Sequence, residues 1–244
     1  EQGSVKVYGS VETLTNDGED KVYYALGDGS DRPVPTDETG DNFLKSWLEN
    51  ELADGLILTE GEYPVMRNTV LEEDYGHGAN EAGQVWYMPI TKAGDHILGN
   101  GKAEEIIIYG KETSDNAEWS SQNLITVFVK DFVIEHVTLM NKTAGNKTIE
   151  ILEPGFTGRN LRLVNNTIVG TGDDDYNGCI FFSPEATGGH IEDCYINKGA
   201  ISFNSIMSGK FTVKNTVFDG LAGDSRRAFS TPNWAELGVE ASTM

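Results

Sequence analysis

"VIEHVTLMN", residues 133–141, is the first of four segments that share one pattern. The other three are "RLVNNTIVG" from Arg162, "HIEDCYINK" from His190 and "TVKNTVFDG" from Thr212, at successive offsets of 29, 28 and 22 residues. Two apolar positions then align, five residues apart: Ile134, Leu163, Ile191 and Val213, followed by Leu139, Ile168, Ile196 and Phe218. A period of this length predicts a solenoid, in which each unit stacks on its neighbours to bury a shared core.

The residue types within the segments indicate which solenoid this is. A leucine-rich repeat needs leucines at fixed offsets, whereas the apolar positions here are mainly Ile, Val and Phe. Such residues in short strands favour a parallel β-helix. A polar residue recurs at one position, where stacked turns would hydrogen-bond between coils: His136, Asn165, Asp193 and Asn215. An antiparallel sandwich with accidental self-similarity is the alternative.

"HILGNGKAEEIIIYG", residues 96–110, places two strand-like runs close together. The pair could form a hairpin, but both runs fit the repeat that continues for over a hundred residues. The Gly-Asn-Gly is not a phosphate loop, because no Lys-Ser/Thr pair and no long helix follow it. We therefore predict an early coil of the β-helix, with Gly99 and Gly101 turning the chain.

Composition excludes several classes of partner. The chain of 244 residues carries 18 Lys and Arg against 39 Asp and Glu, a net charge of −21. Such a surface repels nucleic acid, and it also repels polyanionic sugars unless a cation intervenes. No apolar run is long enough for a transmembrane segment. The acidic, cysteine-poor, β-rich composition is compatible with a protein that is secreted or held at a bacterial cell surface.

The chain divides into three parts. Residues 1–40 read as an N-terminal β arm and acidic linker, and residues 221–244 as a C-terminal tail or cap. Between them, residues 41–220 form the β-helix domain. It opens with "DNFLKSWLENELA", residues 41–53, which predicts a capping helix with Asp41 as N-cap. Residues 66–90 read as a long polar loop.

Several of these motifs resemble one superfamily. The helix "FLKSWLENELA" followed by "DGLILTEGEYPV", the coil "HILGNGKAEEIIIYG" and the coil "DFVIEHVTLMNKTAG" are similar to the first coils of the pectin-lyase-like right-handed parallel β-helices. Within that superfamily the order of elements most resembles the pectinesterases, with "NKTAG" at 141–145 and "HIEDCYINKGAISFNS" at 190–205. The resemblance covers residues 41–220 and implies an all-β, right-handed parallel β-helix.

The catalytic positions of that family do not carry over. The resemblance places its nucleophilic aspartate at Ser202 and its acid/base aspartate, within "YNGCIF", at Gly178. Asn177 stands where the family has a glutamine of the oxyanion site. A carboxylate mechanism needs two aspartates with separated pKa values, which a serine and a glycine cannot supply. The resemblance therefore implies fold and ancestry more than esterase activity.

The acidic turn "TGDDDYNG", residues 171–178, is the main candidate for chemistry. Its oxygens could bind calcium, which would bridge an acidic sugar to this acidic protein; a solvated turn is the alternative. The expected metal ligands are Asp173, Asp174 and Asp175. The expected site groove comprises these three residues with Tyr176, Asn177, Ser202 and Asn204.

Aromatic and basic side chains could also meet a sugar. The candidates for stacking on a sugar ring are Trp119, Phe181, Phe182 and Trp234, and one of the two adjacent phenylalanines must point inward. Seven basic residues could meet a uronate, and nothing in the sequence distinguishes one: Lys130, Arg159, Arg162, Lys198, Lys210, Arg226 and Arg227.

The two cysteines, Cys179 and Cys194, could form a bridge, but buried free thiols are the more common case.

We expect from these observations a secreted or cell-surface β-helix protein that binds polysaccharide as a non-catalytic relative of pectinesterases. One alternative is an active lyase, esterase or hydrolase on a uronic-acid polymer, with the carboxylates of Asp173, Asp174 and Asp175 relocated into the catalytic role. Another is a structural or adhesive stalk. The sequence leaves open whether the chain is catalytic, which glycan it binds and its oligomeric state.

Overall fold

The fold was analysed in a computed structural model. The structure describes residues 9–16, 19–26, 55–66, 69–70, 85–92, 96–111, 123–141, 147–164, 179–197, 199–203, 209–219, 229–230 and 237–242. Within these ranges the chain forms strands and one short 3-10 turn, Ala103–Glu105. The predicted capping helix at 41–53 lies outside the described residues. No described helix is long and apolar enough to cross a membrane.

The first sheet runs the length of the solenoid. It has nine strands, of which β1 and β2 pair antiparallel and the others pair parallel. The strands of the N-terminal arm therefore extend the first sheet. In spatial order they are β1 (Gly9–Asn16), β2 (Glu19–Leu26), β3 (Gly55–Thr59), β8 (His96–Asn100), β11 (Val133–Glu135), β14 (Phe156–Arg159), β17 (Gly189–Glu192), β20 (Gly209–Lys214) and β23 (Leu237–Ser242).

The second and third sheets each have six parallel strands. The second contains β7 (Met88–Ile90), β10 (Ile125–Val127), β13 (Ile149–Ile151), β16 (Ile180–Phe182), β19 (Ile201–Phe203) and β22 (Phe229–Ser230). The third contains β4 (Gly61–Met66), β9 (Ile106–Lys111), β12 (Thr138–Met140), β15 (Arg162–Val164), β18 (Tyr195–Asn197) and β21 (Val217–Asp219). The three sheets stack as in a right-handed β-helix, each coil giving one strand to each sheet.

A small fourth sheet lies in the segment expected to be a loop. Residues 69–70 (β5) and 85–86 (β6) pair antiparallel, and β7 follows at once. The expectation of a loop over 66–90 was therefore wrong for these residues.

The segment "HILGNGKAEEIIIYG", residues 96–110, forms two strands that belong to different sheets. β8 pairs with β3 and β11, whereas β9 pairs with β4 and β12, so the two are not a hairpin. Gly99 was predicted to turn the chain but lies within β8, where a Cβ would lie 2.0 Å from the carbonyl oxygen of His136. The chain must therefore approach the next coil at a residue without a side chain.

Inward-facing apolar side chains from the three sheets form one core. Its largest fully buried members include Phe132, Phe156, Phe182, Phe203 and Phe211. The rings of Phe182 and Phe203 stack with centroids 5.4 Å apart, and Phe211 packs edge-on against both at 4.9 and 4.8 Å. Aromatic contacts between successive coils thus supply apolar burial along the axis.

One of the four predicted repeats was aligned in the wrong register. In the structure Ile134 pairs with Gly158, which pairs with Ile191 and then Val213, so Leu163 does not belong to that position. Leu163 instead pairs with Leu139 and Ile196 on the third sheet. The second segment therefore begins at Thr157 rather than Arg162.

The corrected register identifies the turn that joins the first sheet to the third. Its residues have left-handed backbone conformations: His136 (φ 57°), Asn160 (φ 47°), Asp193 (φ 56°) and Asn215 (φ 46°). Asn160, not the predicted Asn165, completes this series. Asn, Asp and His are the non-glycine residues most often found in this conformation. The side chains of Asn160 and His136 hydrogen-bond between coils at 2.8 Å.

Candidate functional site

Ser202 lies on the outer side of the second sheet. Its strand neighbours Ile201 and Phe203 point into the core, so the serine points outward. Paired residues on successive strands place it in a row that we call the Ser202 row: Pro89, Thr126, Glu150, Phe181, Ser202 and Ser230.

The neighbours of Ser202 in this row are not acids. Phe181 is its partner on one side and Ser230 on the other. The nearest carboxylate of the row, Glu150, is two strands away, about 10 Å at the usual strand spacing. The described part of this row therefore contains no pair of adjacent carboxylates for a nucleophile and an acid/base.

Glu150 is held by other partners. One of its oxygens accepts a hydrogen bond from Lys147 Nζ at 2.5 Å, and the other accepts one from Asn123 Nδ2 at 2.7 Å. The Lys147 ammonium also lies 4.0 Å from the centre of the Phe181 ring. These contacts neutralise the carboxylate and fix its position, which is the behaviour of a structural ion pair.

Three members of the Ser202 row are almost inaccessible to solvent: Thr126, Phe181 and Ser202. Ser202 and Thr126 are each 1% exposed and Phe181 is 5% exposed. Among the described residues, the hydroxyl oxygens of Ser202 and Thr126 have no hydrogen-bond partner. A serine nucleophile needs an adjacent base, and none of the residues that the structure describes is a base bonded to Ser202.

The two adjacent phenylalanines point in opposite directions, as predicted. Phe182 is the inward one, packed in the core against Phe203, so it cannot stack on a sugar. Phe181 faces outward but is buried beneath contacts that include the Lys147 ammonium. The structure therefore provides no open aromatic platform at either position.

The outer side of the first sheet carries charges of alternating sign. The charged row, as we name it, consists of Glu135, Arg159, Glu192 and Lys214 on four successive strands. Arg159 Nη1 donates to Glu135 Oε1 at 2.6 Å, and Lys214 Nζ lies 3.8 Å from Glu192 Oε1. Each basic residue thus lies beside at least one acidic residue.

Two histidines from the neighbouring row of the same sheet contact the acids of the charged row. His96 Nε2 lies 2.9 Å from Glu135 Oε2, and His190 Nε2 lies 2.9 Å from Glu192 Oε2. Burial alone would raise the pKa of Glu135, but the hydrogen bonds to His96 and Arg159 outweigh it and lower the pKa to about 2. The Glu192 pKa is also lowered, chiefly by its hydrogen bond to His190.

Sequence reasoning missed the charged row because of the register error. Aligned from Thr157, the repeats show Glu, Arg, Glu and Lys at one position, which would have indicated an ion ladder. Arg159 is one of the seven basic residues that the sequence offers as a possible uronate ligand. The structure shows it bonded to Glu135 instead.

The remaining predicted site residues lie outside the described residues. They are Asp173, Asp174, Asp175, Tyr176, Asn177, Asn204, Trp119 and Trp234. The calcium hypothesis for the three aspartates therefore stays a prediction. In the part of the chain that the structure describes, no group of three or more His, Cys, Asp or Glu side chains could hold a metal ion.

Cys179 and Cys194 are free and buried, in agreement with the more common case. The Cys194 thiol donates to the carbonyl oxygen of Glu192 at 3.2 Å. Burial raises the pKa of Cys194 to about 12 and raises that of Cys179 as well. Neither thiol has the low pKa of a nucleophilic cysteine.

Comparison with known proteins shows similarity at the level of the fold. No family model matches the chain, and no curated protein matches it. Among solved structures, pectin methylesterase PemA from Erwinia chrysanthemi matches 75% of this chain at 13% identity and a TM-score of 0.42. A pectin methylesterase mutant in complex with a hexasaccharide matches 87% at 13% identity and a TM-score of 0.41. The chain spans 54% and 60% of their respective lengths.

The two solved structures are pectin methylesterases, the family that the sequence motifs resemble.

Proposed function

We propose that this chain is a polysaccharide-binding β-helix protein, secreted or held at a bacterial cell surface, that lacks pectinesterase chemistry. The motifs that resemble pectinesterases support the link to polysaccharide. The Ser202 row supports the lack of esterase chemistry. A serine takes the place that the resemblance gives to the nucleophile, and Phe181 and Ser230 are its neighbours.

The physical argument rests on the missing pair of carboxylates. Esterase chemistry of this kind needs one ionised carboxylate to attack and a protonated acid to assist, held side by side. Within the described ranges the Ser202 hydroxyl is bonded to no base, and the residue is 1% exposed. The proposal is therefore a β-helix in which the position of Ser202 has no reactive carboxylate.

Two measurements on the intact chain test this proposal. A pull-down against pectin, polygalacturonate, alginate and uncharged plant polysaccharides, with and without calcium, should show binding to at least one polymer. Incubation with the same polymers should release no methanol, no reducing ends and no unsaturated products. Failure to bind any polymer under either condition would remove the proposed function.

Product release would instead support the relocated-residue enzyme. In that case Asp174→Ala should abolish turnover, whereas Ser202→Ala should not. If Ser202→Ala abolished it, the serine would be catalytic and the present interpretation of the row would be wrong.

A further inference from the structure

The outer side of the third sheet differs from the other two outer faces in its chemistry. Inward-facing Tyr63, Ile108, Leu139, Leu163 and Ile196 belong to the core, so the residues between them point outward. Two outward rows result: Glu62, Ile107, Thr138, Arg162, Tyr195 and Val217, then Tyr109, Met140, Val164, Asn197 and Asp219. We call this surface the tyrosine face.

Most of the tyrosine face is accessible to solvent. Val217 is 56% exposed and is the exposed large apolar residue of the described chain. Ile107, Tyr109, Met140, Val164 and Tyr195 are half-buried, so each shows part of its apolar surface. The Ser202 row, by contrast, buries its aromatic ring to 5% exposure. Partly exposed apolar side chains on successive strands of an acidic protein form a surface suited to binding a ligand.

Polar groups surround Tyr195 in a pattern suited to hydroxyl groups. The Arg162 guanidinium lies 5.0 Å from the centre of the Tyr195 ring, and the Tyr195 hydroxyl donates to Asp219 Oδ2 at 2.5 Å. Arginine presents several donors in a fixed plane and a carboxylate presents acceptors. A sugar with neighbouring hydroxyls can engage both while its C–H surface rests on apolar side chains.

Arg162 differs from three other cations of the described chain. Lys147 bonds to Glu150, Arg159 to Glu135, and Lys214 lies beside Glu192. Arg162 lies over Tyr195 on the tyrosine face, and in the described chain it forms no ion pair with a carboxylate. Its donors therefore remain available to a ligand.

Charge decides the class of ligand. The chain carries −21, and the acidic Glu62 and Asp219 are exposed on the tyrosine face itself. One guanidinium among these carboxylates does not make a site for a polyanion, because the net field repels it. An uncharged polymer is not repelled by this field, and it needs only hydrogen-bond partners for its hydroxyls and apolar contact.

We propose that the tyrosine face binds an uncharged polysaccharide laid along the stacked coils. This inference rests on the proposed function and adds to it the surface and the class of polymer. On this proposal the Ser202 row does not contact the polymer, and binding takes place on a different side of the β-helix.

The test compares polymers and variants by affinity electrophoresis of the intact chain. The probes are galactan, arabinan, xylan and soluble β-glucan as uncharged polymers, and polygalacturonate as the charged one. At least one uncharged polymer should bind with little dependence on salt concentration. Tyr195→Ala should weaken that binding roughly tenfold. Arg162→Gln should weaken it as well.

Lys130→Gln is the matched control for Arg162→Gln, because both substitutions remove one positive charge. Lys130 is exposed in the turn between β10 and β11. Its binding should stay within about twofold of wild type, since exposed charges outside a site contribute little. Circular dichroism and unfolding curves of each variant separate lost binding from lost folding. A folded Tyr195→Ala protein that binds as wild type overturns the inference.

Three further outcomes are distinguishable. Binding of polygalacturonate alone overturns the inference but leaves the proposed function standing. Concentration-dependent dimers that Val217→Glu abolishes would make the face a contact between copies of this chain, and would also overturn it. Absence of binding to every polymer, charged or uncharged, removes the proposed function together with this inference.

Discussion

At the scale of single residues, Glu135 has the most strongly perturbed carboxylate of the described chain. It is 6% exposed and bonded on both oxygens, to His96 at 2.9 Å and to Arg159 at 2.6 Å. An ionised carboxylate survives burial only with such partners. Removing either partner would leave one oxygen of the buried carboxylate without its hydrogen bond, so the three side chains act as a unit.

This geometry predicts how stability depends on pH. The Glu135 pKa is lowered from 4.5 to about 2 on folding, so its contribution is fully present above pH 4.5. The contribution is lost as the pH falls towards 2, because the unfolded chain binds the proton first. Allowing for partial solvent screening on the Arg159 side, we expect on the order of 2 kcal/mol.

The measurement is urea unfolding of wild type and Glu135→Gln between pH 7 and pH 2. The variant should be less stable at pH 7, and the difference should shrink as the pH falls. A difference that stays constant down to pH 2 would mean that the carboxylate charge contributes nothing.

At the scale of elements, the turns between the first and third sheets determine how the coils stack. Each places a non-glycine residue at a positive φ, and the backbone N–H of His136, Asn160 and Asp193 bonds to the carbonyl of the next coil. A residue with a Cβ is sterically destabilised in this left-handed conformation, whereas glycine is not. Inter-coil hydrogen bonds such as Asn160 to His136 offset part of it.

Two substitutions at Asn160 separate these effects. Asn160→Ala and Asn160→Gly both lose the bond to His136, but only alanine keeps a Cβ at φ 47°. We expect Asn160→Gly to be more stable than Asn160→Ala by about 1 kcal/mol. Thermal unfolding of the two proteins gives the difference directly. Equal stabilities would show that the left-handed backbone costs nothing at this turn.

The same elements show what sequence alone could predict. Alternating apolar residues and polar turns are local signals, so the parallel β-helix was predicted correctly from them. The predicted register of one coil was wrong at Gly158. This residue faces inward, but it has no side chain that would mark a core position in the sequence. Its place in the core is filled by Leu161 and the Phe156 ring, at 2.8 and 3.2 Å from an added Cβ.

The candidate site was harder to predict than the fold. That Ser202 faces outward follows from strand alternation, but alternation alone predicts an exposed residue, whereas Ser202 is 1% exposed. The tyrosine face was missed because its members come from separate coils. Only the correct register brings Arg162 and Tyr195 into neighbouring places.

At the scale of the whole molecule, the coils share one core. Phe182 contacts three other rings in it: Phe156, Phe203 and Phe211. Cys179 and Cys194 belong to the same cluster. Because solenoid units are stabilised by their neighbours, loss of packing in a central coil weakens the coils on both sides.

Phe182→Ala should lower the free energy of unfolding by about 3–5 kcal/mol, the usual cost of removing a buried ring. Val217→Ala, at a residue 56% exposed, is the control and should change it little. Urea unfolding followed by fluorescence provides the values.

Labelling with iodoacetamide during the same titration tests the shared core. Both thiols should resist the reagent until the chain unfolds, and both should react over one transition. Alkylation of Cys179 or Cys194 in native wild-type protein would show that the core opens locally at that coil.

The charged row also limits how such a protein can change in length over evolution. Glu135, Arg159, Glu192 and Lys214 alternate in sign from coil to coil. Duplicating or deleting one interior coil would bring two acids or two bases into adjacent places, where like charges repel. Gain or loss of two coils together would preserve the alternation. This side of the solenoid therefore favours lengthening by pairs of coils.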